Sequence, residues 1–118
     1  MKLLLFGLGR WGANHLRVLH SLPVDLHVVD VQAQQLETAR KLGIAADHMS
    51  TNPLDFFGVV DAAVVVTPAQ THFELVRDLM LAGKDVFVEK PITLVSSEAR
   101  KLAELAAEKN RILQVGHI

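Results

Sequence analysis

Short apolar runs recur along the chain, and more polar segments separate them. These runs do not alternate between apolar and polar residues, as half-exposed strands do. They are continuous and rich in Val and Leu, which is typical of strands buried on both faces of a parallel sheet. The runs cover residues 3–6, 26–29, 62–66, 86–88 and 112–115, and a weaker strand is predicted near 47–50.

Segments with helical periodicity lie between these runs. Two sets of small and apolar residues recur at i, i+3, i+4 and i+7, the spacing of one helix face. Gly43 and Gly83 stand where a helix C-terminal cap belongs. Thr71 and Glu74 have the spacing of a capping box, so a helix is predicted to start near His72. The two periodic sets are Val76, Leu79, Met80 and Gly83, and Ala99, Leu102, Ala103 and Ala106.

Strands and helices thus alternate along the whole chain. This order predicts an α/β fold with a doubly wound, mostly parallel sheet of about six strands and helices on both faces. The length of 118 residues suits one domain, 1–118, and half of the residues are hydrophobic, which is enough for a core.

Composition excludes several classes of partner. The net charge of -1 leaves no electrostatic footprint for nucleic acid or an anionic membrane. The chain has no cysteine, which excludes disulfides and thiolate metal sites and suits a reducing cytoplasm. No apolar run approaches the ~18 residues of a membrane helix, and the run at 3–6 is too short for a signal peptide. We therefore expect a soluble, cytoplasmic protein.

Three glycines follow the first predicted strand in the pattern Gly7-x-Gly9-x-x-Gly12. A strand before them and a helix after them are the context of a dinucleotide-binding Rossmann fold. There Gly7 permits a tight turn, Gly9 lets a pyrophosphate approach the backbone, and Gly12 lets the helix pack closely on the strand. The free N–H groups at the helix start would bind the phosphates. A tight turn without a ligand is the alternative that the glycines alone leave open.

Asp30 ends the second predicted strand, at the distance from the glycines where an acid binds the ribose hydroxyls of adenosine. An Asp in this place could also cap the next helix. Together with the glycine loop it predicts nucleotide binding. Its carboxylate would repel a 2′-phosphate, and residues 31–35 contain no Arg or Lys to bind one. NAD is therefore the expected cofactor, and NADP is disfavoured.

Two later stretches narrow the class: VVVTPAQTHFEL at 64–75 and GKDVFVEKPITL at 83–94. With the glycine loop they resemble the N-terminal nucleotide-binding domain of the glucose-fructose oxidoreductase / inositol dehydrogenase family, Gfo/Idh/MocA. Glu89-Lys90-Pro91 is the most specific mark, and QVGHI at 114–118 fits the family's sixth strand. The resemblance implies an NAD(P)-dependent oxidoreductase that transfers a hydride between nicotinamide and a sugar, inositol or sugar-nucleotide hydroxyl carbon.

The match has a finer part and two departures. GRWGANHLRVL at 9–19 looks like a subset that oxidises nucleotide-linked amino sugars. Many members carry Asn where this chain has Ala69, so a side-chain amide near the cofactor is missing. Members usually continue into a second domain with much of the substrate pocket, a catalytic His and the oligomer surface. This sequence stops at Ile118, so we expect a cofactor-binding domain that is not competent alone and whose exposed sheet edge favours self-association.

The resemblance implies roles for residues after the fourth and fifth strands. Lys90 would be catalytic and would hydrogen-bond the substrate hydroxyl that loses a proton, which suits Lys because its pKa falls readily on partial burial. A cis Lys90–Pro91 bond would turn this side chain towards the cofactor. Glu89 would position the nicotinamide end or pair with Lys90 or another cation. Thr67 and Pro68 would form a turn against the cofactor, or a plain strand-to-helix turn.

Three further residues are candidate cofactor contacts, each with an alternative. His72 stands at a helix start, where the dipole disfavours the imidazolium, and would touch the nicotinamide ribose or pack as a neutral ring. Trp11 would shield the cofactor or bury its ring in helix packing. Arg10 would approach the phosphates or remain in solvent.

The other histidines do not indicate a metal site. His117 belongs to the family's Gly-His pair and is expected to pack at the domain junction. The remaining ones show no metal-ligand spacing, so no metal is predicted; they are His15, His20, His27 and His48.

Two other functions compete with the dehydrogenase. A nucleotide-sensing regulatory module would suit the glycine loop and Asp30 but does not need Glu-Lys-Pro after the fifth strand. A methyltransferase usually carries an acid just before its glycines, where this chain has Leu5 and Phe6. The expected partner is a small carbohydrate-like substrate, with no nucleic acid and no membrane.

Overall fold

The computed structural model describes residues 1–116. Within them six strands form one sheet: β1 (Lys2–Phe6), β2 (Asp25–Val29), β3 (Met49–Ser50), β4 (Ala62–Val65), β5 (Asp85–Glu89) and β6 (Leu113–Gly116). Their order across the sheet is β3-β2-β1-β4-β5-β6, and all neighbouring pairs are parallel. The predicted doubly wound α/β sheet is confirmed, including the weak third strand, which is only 2 residues long.

Helices form four of the five connections between successive strands and cover both faces of the sheet, whereas β3 and β4 are joined by a segment with one short 3-10 helix, Pro53–Phe56. The α-helices are α1 (Arg10–His20), α2 (Leu36–Lys41), α3 (His72–Leu81) and α4 (Ser96–Glu108). α1 and α2 pack on one face, whereas α3 and α4 pack on the other. None of the helices in residues 1–116 combines the length and the apolarity that crossing a membrane requires.

The two faces of β1 show why its apolar run does not alternate with polar residues. Leu4 and Phe6 point into the core under α3 and α4, whereas Leu3 and Leu5 point into the core under α1 and α2. Leu4 and Leu5 are both 0% exposed. Each such leucine stabilises the fold by roughly 1.5–3 kcal/mol through burial alone.

The predicted helix faces are mostly correct. Val76, Leu79 and Met80 of α3 are buried, as is Leu102 of α4. Ala103, however, is exposed. The buried stripe of α4 runs instead through Leu102, Leu105 and Ala106, because the larger leucine side chains reach the sheet and turn Ala103 towards solvent.

The positions of these helix ends were predicted correctly, but the residue contacts that form them were not always predicted correctly. Gly43 and Gly83 follow α2 and α3 with φ of +96° and +82°, the left-handed conformation of a glycine cap. α3 starts at His72 as predicted, but the capping box is wrong. Thr71 already has helical dihedral angles (φ -94°, ψ -10°), and its hydroxyl donates to the Pro68 carbonyl oxygen instead of capping the helix.

Candidate functional site

A cleft of about 990 Å³ opens at the carboxyl ends of the central strands. The chain passes from β1 outwards to β2 on one side and from β4 outwards to β5 on the other. The loops after β1 and β4 therefore lead to helices on opposite faces and leave a crevice, where open α/β sheets bind their ligands. Ten of the predicted site residues line it: Gly7, Gly9, Arg10, Trp11, Asp30, Thr67, Pro68, His72, Glu89 and Lys90.

Two of the three loop glycines are required by the fold itself. Gly7 has φ +106°, and a Cβ there would lie 2.7 Å from the Val66 carbonyl oxygen. A Cβ on Gly12 would lie 2.0 Å from the Gly7 carbonyl oxygen, far inside contact distance. The predicted turn and close helix packing are both present, although Gly12 packs on the backbone of Gly7, the first residue after β1, rather than on β1 itself. Gly12 accordingly stands behind the cleft, not in its lining.

Gly9 is different, because a Cβ added to it would meet nothing within 4 Å. The protein's own packing therefore does not require glycine here. Gly9 is also the N-cap of α1, which has no side-chain cap and no acidic residue in its first turn. Backbone N–H groups at this helix start are thus left for an anion, and the missing Cβ gives it room to approach.

Asp30 follows β2 and is only 9% exposed. Its Oδ2 accepts a hydrogen bond from the Leu8 backbone N–H at 2.8 Å, and its Oδ1 accepts one from the Gln32 N–H at 2.8 Å. The second bond closes a local turn, and it is not the helix cap considered as an alternative, because the next helical turn begins at Ala33 after Gln32. The first bond ties β2 to the glycine loop. A carboxylate has about four acceptor sites, so both oxygens keep capacity for a ligand's hydroxyl groups.

The end of β5 places two neighbouring charges differently. Glu89 is buried, and its Oε1 lies 2.7 Å from Nε2 of His15 on α1, so its side-chain partner is His15 rather than Lys90. Lys90 lies at the rim of the cleft and is exposed rather than partly buried. The Lys90–Pro91 bond is cis, as the resemblance implied.

His72 is 1% exposed and joins the two loops that bound the cleft. Its Nε2 lies 2.8 Å from the Thr67 carbonyl oxygen, and its Nδ1 lies 2.7 Å from the Pro91 carbonyl oxygen. Both ring nitrogens form hydrogen bonds within the protein, so neither is free for the expected contact with a ribose. Carbonyl oxygens only accept, so a neutral ring can donate to one of them at a time and an imidazolium to both.

Trp11 and Arg10 extend from the first turn of α1 into solvent beside the cleft. Trp11 is 54% exposed, so the alternative of a ring buried in helix packing is wrong. Arg10 is exposed too. Both side chains are placed where a ligand on the glycine loop would meet them.

His15 was missed as a site residue, although the sequence held a signal for it. It falls three residues after Gly12 and directly before Leu16, which are both buried on the sheet-facing side of α1. A polar residue on that inward stripe needs a partner, because burying an unpaired polar group is costly. The partner itself, Glu89, was not readable, since 74 residues separate the two.

Two of the histidines without metal-ligand spacing in the sequence lie together at the opposite end of the sheet. The rings of His27 and His48 stack with centroids 4.2 Å apart, and Nε2 of His48 lies 3.0 Å from Asp25 Oδ1. The ligand-type atoms of these three residues lie within 4.8 Å of one another. The rings are only 23° from parallel, so their in-plane lone pairs do not converge on one point. We therefore assign this cluster a structural role at the β2–β3 edge of the sheet. His117, which was expected to pack at a domain junction, lies outside the described residues.

We expect the His27 and His48 imidazoles to titrate on opposite sides of 6.5. The hydrogen bond that His48 donates to Asp47 raises the pKa of His48, and burial lowers the pKa of His27. The contribution of His48 to stability is therefore full below 6.5 and is lost as pH rises through its folded-state pKa, whereas that of His27 is lost as pH falls. NMR titration of the ring nitrogens measures both. Asp47→Asn should lower the pKa of His48, and equal midpoints in the wild type would contradict the assignment.

Comparison with known proteins matches this geometry. A family model described as an oxidoreductase family with an NAD-binding Rossmann fold, Gfo/Idh/MocA, matches residues 1–117. The scyllo-inositol 2-dehydrogenase (NAD(+)) of Bacillus subtilis is 34% identical over 116 residues, covering 93% of this chain and 33% of that protein. The UDP-N-acetylglucosamine 3-dehydrogenase of Acidithiobacillus ferrooxidans is 34% identical over 119 residues, covering 100% and 37%.

A solved structure agrees with the sequence relatives. GenD2 from gentamicin A biosynthesis, in complex with NAD, superimposes with a TM-score of 0.89 at 33% identity, covering 98% of this chain and 34% of that one. The chain spans about a third of the length of the curated relatives it matches, 33% and 37% of the two named above. This chain belongs to the Gfo/Idh/MocA oxidoreductase family and has that family's NAD-binding Rossmann fold.

Proposed function

We propose that this chain is the NAD-binding domain of an oxidoreductase that transfers a hydride between nicotinamide and a hydroxyl-bearing carbon of a sugar, inositol or sugar nucleotide. One observation carries the proposal above the others. Gly9 is open to the cleft at the uncapped start of α1, although the fold does not require a glycine there. A pyrophosphate explains both features, because it needs bare backbone N–H groups and no Cβ in its path.

The pyrophosphate position fixes the direction of the dinucleotide in the cleft. Asp30 after β2 lies on one side of the glycine loop, and Lys90 after β5 lies on the other. The Asp30 carboxylate would accept hydrogen bonds from the ribose hydroxyls of the adenosine half. The nicotinamide half would then lie towards β4 and β5, against the turn formed by Thr67 and Pro68. Exposed Trp11 would cover the pyrophosphate or the nicotinamide side.

Lys90 is the residue to which we assign the proton transfer. NAD, when bound, supplies the hydride acceptor. Lys90 would hydrogen-bond the substrate hydroxyl and accept its proton. The hydride would leave the carbon that bears this hydroxyl and pass to NAD. The exposed position of the Lys90 side chain at the rim allows it to reach a substrate that lies over the nicotinamide. Glu89, the last residue of β5, would position the nicotinamide end of the cofactor.

The substrate class rests on the relatives. One is named for scyllo-inositol and another for UDP-N-acetylglucosamine, both of which are polyhydroxylated rings. We infer a carbohydrate-like substrate, with a nucleotide-linked amino sugar as the finer possibility that Trp11, Gly12 and Asn14 suggest. The two relatives are dehydrogenases, and this gives the nucleotide-sensing module no support.

The relatives are about three times as long as this chain, which covers 33% and 37% of them. We propose that most of the grip on the substrate belongs to a second domain of the complete enzyme. Hydride transfer needs the reacting carbon held roughly 3–3.5 Å from the nicotinamide and aligned with it. Lys90 alone supplies one hydrogen bond to hold the substrate in this position. The cleft at the carboxyl ends of the strands is open to water.

We therefore expect the 118-residue chain to bind NAD but to form little or no NADH from sugars, inositols or sugar nucleotides. Calorimetry, or quenching of the fluorescence of Trp11, measures binding, and absorbance of NADH measures turnover. Absence of NAD binding would refute the proposed function. NADH formation that disappears in Lys90→Ala would confirm the role of Lys90 and refute the need for a second domain.

A further inference from the structure

The contact between His15 and Glu89 is a direct side-chain link between the two elements that the proposed cofactor would bridge. His15 belongs to α1, whose first turn faces the pyrophosphate position, and Glu89 is the last residue of β5. Nε2 of His15 lies 2.7 Å from Oε1 of Glu89, and the two side chains are 24% and 12% exposed. This is the length of a charge-assisted hydrogen bond, which is stronger than one between neutral groups.

Within residues 1–116 the Glu89 side chain has a single hydrogen bond, the one to His15. Gly116 of β6 pairs with Glu89 across the sheet, and a Cβ added to Gly116 would lie 3.3 Å from Oε2 and 2.8 Å from the Phe87 ring. The edge of the His15 ring also packs on Phe87, with centroids 5.9 Å apart. Without His15, a largely buried carboxylate would lose its donor and turn or take up water.

Glu89 lines the cleft, whereas His15 does not. Glu89 lies on the β5 side of the glycine loop, opposite Asp30, and this is the side proposed for the nicotinamide half. We propose that His15 is a positioning residue that orients the nicotinamide half of NAD through Glu89 without touching the cofactor. The inference rests on the proposed function, because it assigns the two ends of the cleft to the two halves of NAD.

Binding of NAD and of ADP separates this role from simple packing. ADP carries the adenosine and both phosphates, so it uses Asp30 and the glycine loop but not the β5 side. His15→Phe keeps an aromatic ring on Phe87 and removes the donor nitrogen. His15→Gln keeps an amide N–H that can reach Glu89. We expect His15→Phe to weaken NAD about 10-fold and to change ADP less than about twofold, and His15→Gln to restore NAD to within about threefold of the wild type.

Calorimetry with NAD and ADP on the 118-residue chain gives these values, and thermal unfolding shows that each variant is folded. His20→Phe, the same substitution at the exposed far end of α1, should change neither ligand. Should His15→Phe not fold, His15→Asn replaces it, because its amide is too short to reach Glu89. Equal loss of NAD and ADP, or no loss of either, would overturn the role of His15. A wild-type chain that binds neither ligand would instead refute the proposed function, and the inference with it.

Discussion

Gly12→Ala should unfold or severely destabilise the chain, whereas Gly9→Ala should leave it folded and greatly weaken its binding of NAD. A Cβ on Gly12 would lie 2.0 Å from the Gly7 carbonyl oxygen, and that atom belongs to backbone and cannot rotate away. The first turn of α1 would have to move off the loop. We expect a loss of at least about 3 kcal/mol in the free energy of unfolding, at the upper end of overpacking costs. The helix propensity of Ala offsets about 1 kcal/mol of strain at most.

Gly9→Ala is the matched control, since it adds the same methyl group three residues away. Its Cβ would meet nothing within 4 Å, so the midpoint of thermal or urea unfolding should change little. The methyl group would occupy the space that we assign to the pyrophosphate, and calorimetry should show a loss of NAD affinity of at least about 100-fold, or about 2.7 kcal/mol. A Gly9→Ala variant that binds NAD like the wild type would place the phosphates elsewhere.

The contrast between these glycines shows what the sequence could predict. Gly7-x-Gly9-x-x-Gly12 is a local pattern, and its geometry follows from a strand, a turn and a helix that are adjacent along the chain. The sheet was predictable for a similar reason, because the buried runs at β1 and β4 and the helices between them leave few topologies. The cis Lys90–Pro91 bond was predictable only through the family resemblance.

The sequence did not determine side-chain partners where distant segments or local backbone angles decide. Glu89 was expected to position the nicotinamide end or to pair with Lys90 or another cation, and only the folded sheet shows that α1 brings His15 to it. His27 and His48 show no metal-ligand spacing along the sequence, but the short strand β3 places them side by side. The capping role of Thr71 was wrong because its backbone already has helical dihedral angles, and its hydroxyl makes no capping bond. The histidine and Glu89 contacts are set by tertiary position, which spacing along the sequence does not reveal.

Asp30 shows a prediction that the structure extends. The sequence indicated a ligand for the ribose hydroxyls, and the structure adds that the same carboxylate holds the N–H groups of Leu8 and Gln32. A substitution therefore affects two properties at once. Asp30→Ala removes the carboxylate that accepts from both backbone N–H groups. It should lower the free energy of unfolding by about 1–3 kcal/mol, because the buried Leu8 N–H would be left without an acceptor. A loss of cofactor binding in that variant would not by itself identify the ribose contact.

Asp30→Asn separates the two roles, and we expect it to remove most of the preference for NAD over NADP. The amide keeps one acceptor oxygen for the loop and removes the negative charge. The wild type should bind NAD at least about 10-fold more tightly than NADP, since the carboxylate accepts from the ribose hydroxyls and repels a 2′-phosphate. In Asp30→Asn the affinity for NAD should fall about 10-fold and that for NADP should stay or rise, so the ratio approaches one.

Calorimetry with both cofactors measures this ratio, and Asp61→Asn provides the matched control. Asp61 Oδ2 accepts a backbone N–H from Lys2 at 2.8 Å, the same kind of long-range bond that Asp30 Oδ2 makes with Leu8 at 2.8 Å. Asp61 precedes β4 and so stands at the opposite end of the sheet from the cleft. Its amide variant should keep the wild-type ratio even where it loses stability. Wild-type protein that binds NADP as tightly as NAD would show that Asp30 serves the glycine loop and does not select the cofactor.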